Sequence, residues 1–364
     1  MTSTLRAMLL LSSLPLLPGC VGAAVSVATT AASVGAQAGF ASGVATAAGP
    51  SVQQVAALPA GEVAALPVAF GNGVPANLAA GRKVFVPAYG VSYIHTQNAR
   101  AVSQGGLMGG FGGGSTRSAS VRTGLTGISP ATYQMIADEA HADLIAQLRA
   151  AGIEVAGAEE AAAAASSAPR VPGNAADGSA GGTMFGGQST GWRTLGAAAA
   201  PLISGISGEG AGGGLAGLSA IGGNQAMQRI ADQSQGLVLA PLLRLDYVNV
   251  SSSGRSLLAG TANAEATAQF SVAAGTQLAY AARRPGMGAA DIGIAQIAAP
   301  VPSAEPFAGI SATGGSSGAW VGLGTRTDAA VEAVEARWVA LARAAYRGFN
   351  AAIVQQLRAA RPNA

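Results

Sequence analysis

The chain of 364 residues is poor in several residue types on which common binding and catalytic sites depend. It contains one cysteine, two histidines and one lysine, and charged residues make up only 10 % of it. A single cysteine excludes a disulfide-stapled module and a cysteine-based zinc scaffold. The scarcity of charge excludes an acidic or polybasic disordered tail. Aromatic residues make up only 5 % of the chain, so large side chains for a core are few.

Glycine and alanine are abundant in the chain. The 53 glycines are about twice the usual share for a soluble domain, and much of the 49 % hydrophobic fraction is alanine, which buries little area per residue. This composition predicts a globular core that is interrupted by long Gly/Ala segments.

The amino terminus has the pattern of a secretory signal. Residues 1–20 read MTSTLRAMLLLSSLPLLPGC, in which Arg6 precedes an apolar run from Ala7 to Pro18. That run is shorter than the roughly 20 residues that a membrane-spanning helix needs, and it fits the apolar region of a signal peptide. We therefore expect residues 1–19 to be removed in the mature protein.

The end of this segment, Leu17-Pro18-Gly19-Cys20, resembles the lipobox of bacterial lipoproteins, although proline at its second position departs from the usual small residue. The resemblance implies cleavage before Cys20 and acylation of its thiol and amine, with palmitate among the chains. Val21 in place of aspartate implies sorting to the outer membrane, facing the periplasm. Two or more acyl chains are enough for stable anchoring. The alternative is an ordinary signal peptide that is followed by a chance cysteine.

Composition divides the rest of the chain. Residues 20–81 begin with the acylated cysteine and continue as an Ala/Gly-rich tether, for which a weak amphipathic helix in 21–50 is the alternative. Residues 158–224 form a Gly/Ala-rich insertion that we expect to be disordered, because glycine loses the most backbone entropy on folding. The remaining residues, 82–157 and 225–364, form a periplasmic α/β domain.

Two hairpins and two helices account for the regular parts of this domain. Period-2 alternation and β-branched or aromatic residues predict strands over 83–96, 117–125, 237–250 and 261–282, with a short strand at 153–157. Apolar stripes at helical spacing, with a Ser129 cap and a Gly152 stop for the first helix, predict helices over 129–151 and 327–361. The predicted fold is α+β (α/β), a small mixed sheet with two long hairpins packed by these helices and interrupted by Gly-rich disordered insertions.

Motifs of known enzymes occur in the sequence without the context that their chemistry needs. Gly208-x-Gly210-x-x-Gly213 fits a dinucleotide fingerprint, but no helix start follows it. Ser189 and Ser316 each stand in a Gly-x-Ser-x-Gly pattern, but both histidines lie upstream of them, which is the wrong order for an α/β-hydrolase.

A metal site would have to combine His141 with Asp138, Glu139 or Asp143 on one helix, and a solvated polar face is the alternative interpretation of these residues. His95, on a strand, is interpreted as a hydrogen-bonded sheet residue. We therefore predict no catalytic, cofactor or metal site, and Cys20 is the one predicted functional residue, as the site of lipidation.

The order of elements resembles loosely the periplasmic α/β domain of TolB-like and curli-secretion-channel-like lipoproteins. The residues that carry the resemblance are KVFVPAYGVSYI, ATYQMIADEAHADLIAQLRAAG followed by IEV, and LVLAPLLRLDYVNV. It leaves open a non-catalytic envelope scaffold, adaptor or assembly factor, a subunit of an oligomeric secretion channel, and a small-ligand binder or enzyme. We expect an envelope protein partner or self-association, and no nucleic acid, because the 19 arginines and one lysine form no cluster.

Overall fold

The computed structural model describes residues 44–59, 61–79, 81–103, 117–181, 187–206, 216–253, 262–283, 289–317 and 324–361. All of them belong to one unit, Ala41–Ala364. Cys20, the predicted signal peptide 1–19 and the glycine motif at 208–213 lie outside the described residues.

Helices separate groups of consecutive strands along the described chain. The helices are α1 (Val52–Ala56), α2 (Ala76–Ala79), α3 (Pro130–Ala150), α4 (Ala158–Ala164), α5 (Ala216–Ser234) and α6 (Glu335–Ala359). The strands are β1 (Val44–Ala48), β2 (Val84–Phe85), β3 (Gly90–Ser103), β4 (Arg117–Thr126), β5 (Ala175–Gly181), β6 (Gly187–Gly196), β7 (Leu237–Ser253), β8 (Asn263–Val272), β9 (Gln277–Arg283), β10 (Ala290–Gln296), β11 (Val301–Pro302), β12 (Ala308–Ser317) and β13 (Thr325–Ala333).

The α+β class is confirmed, but the sheet is larger than the sequence predicted. The described strands form one mixed sheet of 13 strands, whose main path runs β1-β8-β7-β3-β4-β13-β12. Strands β5 and β6 extend it beside β3, and β9 and β10 extend it beside β7. The expectation of a small sheet was wrong because several Gly- and Ala-rich stretches, including β10 and β12, are strands.

Both predicted hairpins form. Strands β3 and β4 pair antiparallel from Thr96↔Gly124 to Ser103↔Arg117. Strands β7 and β8 pair antiparallel from Leu245↔Val272 to Ser253↔Asn263. The predicted single strand over 261–282 is in fact two, β8 and β9, which pair with different halves of β7. Gly275 in the turn between them has a φ of 86°, which glycine adopts without strain.

The first long helix agrees with its prediction. Ser129 caps α3 by accepting a hydrogen bond from the Thr132 N–H, Pro130 follows the cap, and Gly152 beyond the end has a φ of 72°. The strand predicted after it at 153–157 is reduced to one bridge, between Val84 and Val155.

The predicted helix 327–361 begins later than expected. Residues 325–333 form β13, which pairs parallel with β4 and antiparallel with β12. Ala329, Val331 and Ala333 are buried at period 2, as expected of a strand with one buried face. Only residues 335–359 are helical, as α6, because the alternating small residues before them fit the sheet better.

The predicted tether is packed against the domain over the residues that are described. Strand β1 pairs parallel with β8. Val55 in α1 and Ala79 in α2 are fully buried, and Leu78 in α2 is 2 % exposed. Residues 44–79 are therefore part of the fold, which corrects the tether boundary at 81.

The predicted insertion 158–224 also contains folded elements. Helix α4 begins it, and β5 and β6 add two strands beside β3. Trp192 on β6 is 2 % exposed, and Gly178 on β5 leaves room for its indole ring. The expectation of disorder was wrong for these residues because their glycines permit close strand approach rather than preventing order.

The larger core lies where α3 and α6 pack on the sheet. Trp338 of α6 contacts Phe270 at 5.1 Å and Phe307 at 5.5 Å between ring centroids. Asn350 of α6 is fully buried, accepts a hydrogen bond from the Tyr89 hydroxyl and donates to the Ala140 carbonyl. A second, smaller core cluster includes Met227 and Ile230 of α5. Among the described helices, none is long and apolar enough to cross a membrane.

Candidate ligand-binding face

Strand β3 changes character at a bulge. Its residues from Gly90 to Ile94 are all buried, whereas beyond the register shift between Ile94 and Thr96 burial alternates. Gln97, Ala99 and Ala101 are buried, and the residues between them reach the surface. A bulge adds one residue to one strand and so re-aims the side chains that follow it. The second half of β3 therefore has one polar face over which no described helix lies.

This uncovered face is an open groove across β5, β6, β3, β4 and β13, which we call the polar groove. Its volume is about 840 Å³. Serine, threonine, asparagine and glycine dominate its lining, together with three arginines. Its residues are Thr96, Gln97, Asn98, Arg100, Ser118, Ser120, Arg122, Ser179, Ala180, Gly181, Ser189, Thr190, Gly191, Gly324, Thr325 and Arg326.

The strand register brings the three arginines of the groove together. Arg100 on β3 lies opposite Ser120 on β4, and Ser120 lies opposite Arg326 on β13. Arg122 is the next outward residue of β4 after Ser120. Diagonal neighbours on adjacent strands are ~7–8 Å apart, and two strand spacings are ~10 Å, so the three Cα atoms fall within ~10 Å of one another.

Among the described residues, one carboxylate pairs with one of these three cations. Asp328 lies opposite Arg122 in the register but accepts hydrogen bonds from Arg326, at 3.0 Å from Nε and 2.8 Å from Nη2. Arg100 and Arg122 form no ion pair with any carboxylate in the described part of the chain. The polar groove therefore has an excess of positive charge.

A second cavity of about 810 Å³ continues from the polar groove toward α3 and shares Thr96, Ser179 and Gly191 with it. His95, at the bulge, is exposed in this cavity. Tyr93 and Tyr133 form its wall, with ring centroids 4.5 Å apart and a hydrogen bond from the Tyr93 hydroxyl to the Tyr133 carbonyl. This cavity gives the groove a less polar end.

A buried hydrogen-bonded cluster supports the groove from behind. Gln97 donates from Nε2 to both carboxylate oxygens of Asp246 on β7, at 2.6 and 2.7 Å. Burial raises the pKa of Asp246 from 3.8 to about 6, against the opposing effect of hydrogen bonds from the Tyr247 and Val248 N–H groups and from Gln97. Thr123 and the Tyr247 hydroxyl form a further hydrogen bond of 2.8 Å. These bonds join β3 and β4 to β7.

Arg244 extends this cluster beside β6. Its guanidinium carbon lies 4.4 Å from the ring centroid of Trp192, a cation–π contact. Burial lowers the pKa of Arg244, while the nearby Asp246 raises it. The charge of Arg244 is therefore held inside the fold and does not add to the groove.

The helix face that was considered for a metal is used for packing. The Glu139 carboxylate binds Arg343 of α6 at 2.7 and 2.9 Å, and this hydrogen bond lowers the pKa of Glu139. Asp143 accepts from Asn350, and Asp138 accepts from the Ala198 N–H. His141 is half-buried beside Tyr89, and burial lowers its pKa. Among the described residues, no group of three His, Cys, Asp or Glu side chains could hold a metal ion.

The two serines in Gly-x-Ser-x-Gly patterns lie within strands, Ser189 in β6 and Ser316 in β12. A nucleophile elbow requires a sharp turn from a strand to a helix. The first pattern lies wholly within β6 and lacks that context, whereas Gly318 of the second pattern lies outside the described residues. Ser189 instead contributes to the polar groove.

Sequence reasoning did not find the polar groove. It noted that nearly all basic residues are arginine but found no cluster, because Arg100, Arg122 and Arg326 lie on three separate strands. The available signal was local: the segments around Arg100 and Arg122 both alternate small or apolar residues with polar ones, which is typical of strands with one exposed face. That pattern does not show which strands are neighbours.

Comparison of the chain with protein-family models, with curated proteins and with solved structures found no match.

Proposed function

We propose that the protein is a non-catalytic, lipid-anchored lipoprotein of the bacterial cell envelope. Acylated Cys20 would hold it in the outer membrane facing the periplasm, where it acts as a scaffold or adaptor. The polar groove is the surface on which it binds its envelope partner.

The observation that carries the proposal is the uncovered half of the sheet. Its groove spans five strands, is lined by hydrogen-bonding side chains and has two arginines without a carboxylate partner in the described chain. Exposed polar and charged groups on a rigid sheet favour recognition, because the strands hold the groups in place before the partner arrives.

Burial on β8 supports a scaffold over the alternative of a secretion-channel subunit. In a strand that crosses a membrane, outward residues face lipid. Ala264 and Ala266 are instead buried within the chain, at 2 % and 0 % exposed. Phe270 on the same strand packs against Trp338. The chain covers this face of β8 with its own residues.

The engagement of acidic side chains supports a non-catalytic role. A general base needs a carboxylate or imidazole that can reach a substrate. Glu139 and Asp143 are held by side chains of α6, and Asp246 is held by Gln97. These carboxyl groups are engaged by side chains of the protein itself.

The test combines membrane fractionation with photocrosslinking in cells. A benzophenone amino acid is placed at Asn98 in the polar groove or at Glu159, an exposed control position on α4, in the full chain and in its Cys20→Ser variant. We expect the full chain to sediment with membranes and to give a discrete adduct from position 98 but not from position 159. The Cys20→Ser variant should appear in the soluble periplasmic fraction.

Sedimentation of the Cys20→Ser variant with membranes would contradict lipid anchoring. Equal adducts from positions 98 and 159, or no adduct from position 98, would contradict the assignment of the groove as the binding surface.

A further inference from the structure

We propose that the ligand of the polar groove is an acidic glycan, a chain of sugars that carries anionic groups. This inference rests on the proposed function and names the chemical class of the partner. It follows from the placement of charge in the groove and from the nature of the side chains between the charges.

The arrangement of arginines selects for anions that are spaced along a ligand. Like charges on neighbouring strands repel each other, and among the described residues the carboxylate of Asp328 pairs with Arg326 and with neither Arg100 nor Arg122. A guanidinium binds carboxylate or phosphate through two parallel hydrogen bonds. Anionic groups several ångströms apart on one ligand would neutralise this repulsion and bind the two guanidinium groups that have no carboxylate partner among the described residues.

The floor between the arginines matches hydroxyl groups. Thr96, Asn98, Ser120, Ser189 and Thr190 line the groove. Serine and threonine hydroxyls both donate and accept, and asparagine offers a carbonyl acceptor and two donors. A sugar presents the same mixture of donors and acceptors around its ring, so each unit can hydrogen-bond to several of these side chains.

The lining also differs from that of sites for other anionic ligands. No aromatic or large aliphatic residue is among the described residues that line the polar groove itself, and Tyr93 and Tyr133 line only the second cavity beside it. Proteins that bind single-stranded nucleic acids stack bases on aromatic side chains, and protein interfaces centre on aromatic or aliphatic anchors. A membrane surface is recognised by apolar residues beside basic ones. The combination of arginine with small hydroxyl side chains favours an acidic sugar polymer.

The experiment measures binding of the purified full chain, in detergent, to three polymers by isothermal titration calorimetry. Polygalacturonate is the acidic glycan, dextran is a neutral glycan, and polyglutamate is an acidic polypeptide. We expect polygalacturonate to bind more tightly than either of the others, and its binding to weaken between about 50 mM and 500 mM salt because the contacts are ionic.

Three variants locate the site. Arg100→Gln and Arg122→Gln should each weaken polygalacturonate binding by about tenfold, which is typical of losing one charge-assisted contact. Arg149→Gln removes the same charge from an exposed position on α3 and should leave binding unchanged. Thermal unfolding of each variant shows whether it is folded, and a variant that loses its fold is replaced by Ser120→Ala, expected to weaken binding severalfold.

Binding of dextran as tight as that of polygalacturonate would overturn the requirement for anions, and binding of polyglutamate as tight would overturn the requirement for sugars. An equal effect of Arg149→Gln and Arg122→Gln would overturn the assignment to the groove. If position 98 still gives its photocrosslink while polygalacturonate does not bind, the ligand class is wrong and the scaffold proposal stands.

Discussion

The two halves of β3 have the same partner, β6, along one edge but opposite roles. From Gly90 to Ile94 the strand is buried on both faces, and Tyr89 and Tyr93 at this end make hydrogen bonds to α6 and α3. From Thr96 to Arg100 only alternate residues are buried, and the others line the polar groove. Helices cover the first half and no described helix covers the second.

This contrast shows that coverage by helices decides what a strand face becomes. Where α3 and α6 pack, polar groups are removed from water, and the Tyr89 hydroxyl has its partner in Asn350 inside the protein. Where no helix packs, arginine can keep its charge in water and meet a ligand. Substitutions in the covered half should therefore lower stability, whereas substitutions in the uncovered half should affect binding.

The largest effect is expected at Trp338 in the covered half. Its side chain is fully buried and packs on Phe270 and Phe307. Trp338→Ala should lower the free energy of unfolding by about 3–5 kcal/mol, since it leaves a large cavity. Urea denaturation measures this loss. The control Trp338→Phe keeps an aromatic ring and should lower it less, and a near-neutral alanine variant would show that α6 does not cover a core.

The next effect is expected at Asn350. Asn350→Ala removes the acceptor for the Tyr89 hydroxyl and a donor to Asp143, and each buried group left without a partner costs about 1–3 kcal/mol. We expect a total loss of about 2–4 kcal/mol in denaturant unfolding. In the Asn350→Ala variant, adding Tyr89→Phe should lower the free energy of unfolding by less than Tyr89→Phe does in the unsubstituted protein. The reason is that the double variant no longer contains a buried hydroxyl without a partner. Strictly additive losses would contradict this contact.

A pH-dependent effect is expected at the junction of the two halves, where Asp246 meets Gln97. Because the pKa of Asp246 is about 6 in the folded protein against 3.8 for the ordinary group, the folded state binds its proton more tightly. The stability that this provides is present below pH 3.8 and is lost as the pH rises through about 6.

Between pH 4 and pH 7, the free energy of unfolding of the unsubstituted protein should therefore fall by about 2–3 kcal/mol more than that of the Asp246→Asn variant. Denaturant unfolding at both values measures the difference. Asp177→Asn, at an exposed carboxylate on β5, is measured alongside as the matched control. A flat difference for Asp246→Asn would show that this carboxylate is accessible to water.

The smallest effect on stability is expected in the uncovered half. Arg122→Gln breaks no ion pair with a described carboxylate, and it removes one of three neighbouring positive charges. Thermal unfolding should therefore place the stability of this variant within about 0.5 kcal/mol of that of the unsubstituted protein. Arg343→Gln, in contrast, breaks a half-exposed pair with Glu139 and should cost up to about 1 kcal/mol. A larger loss for Arg122→Gln than for Arg343→Gln would remove the contrast between the two halves.

Local signals were sufficient for some elements and not for others. The cap at Ser129, the proline after it and the glycine at 152 delimit α3 in the sequence alone. The segment of β13 was wrongly predicted to be helical, because Val331 fits an apolar helical stripe as well as the buried face of a strand. Only pairing with β4 and β12 distinguishes the two. The same holds for β1, whose five residues, VATAA, contain no large side chain and acquire order by pairing with β8.

The sequence by itself determined α3, the pairing of both hairpins and the α+β class, because each depends on periodicity and end signals within a few dozen residues. The tertiary structure alone decided the size of the sheet, the packing of the described residues in 44–79 against the domain and the existence of the polar groove. The groove unites Arg100, Arg122 and Arg326, which are distant in the chain, and their meeting depends on strand order and register. Backbone pairing between remote glycine- and alanine-rich segments sets both, and such segments have too little side-chain pattern to reveal their neighbours.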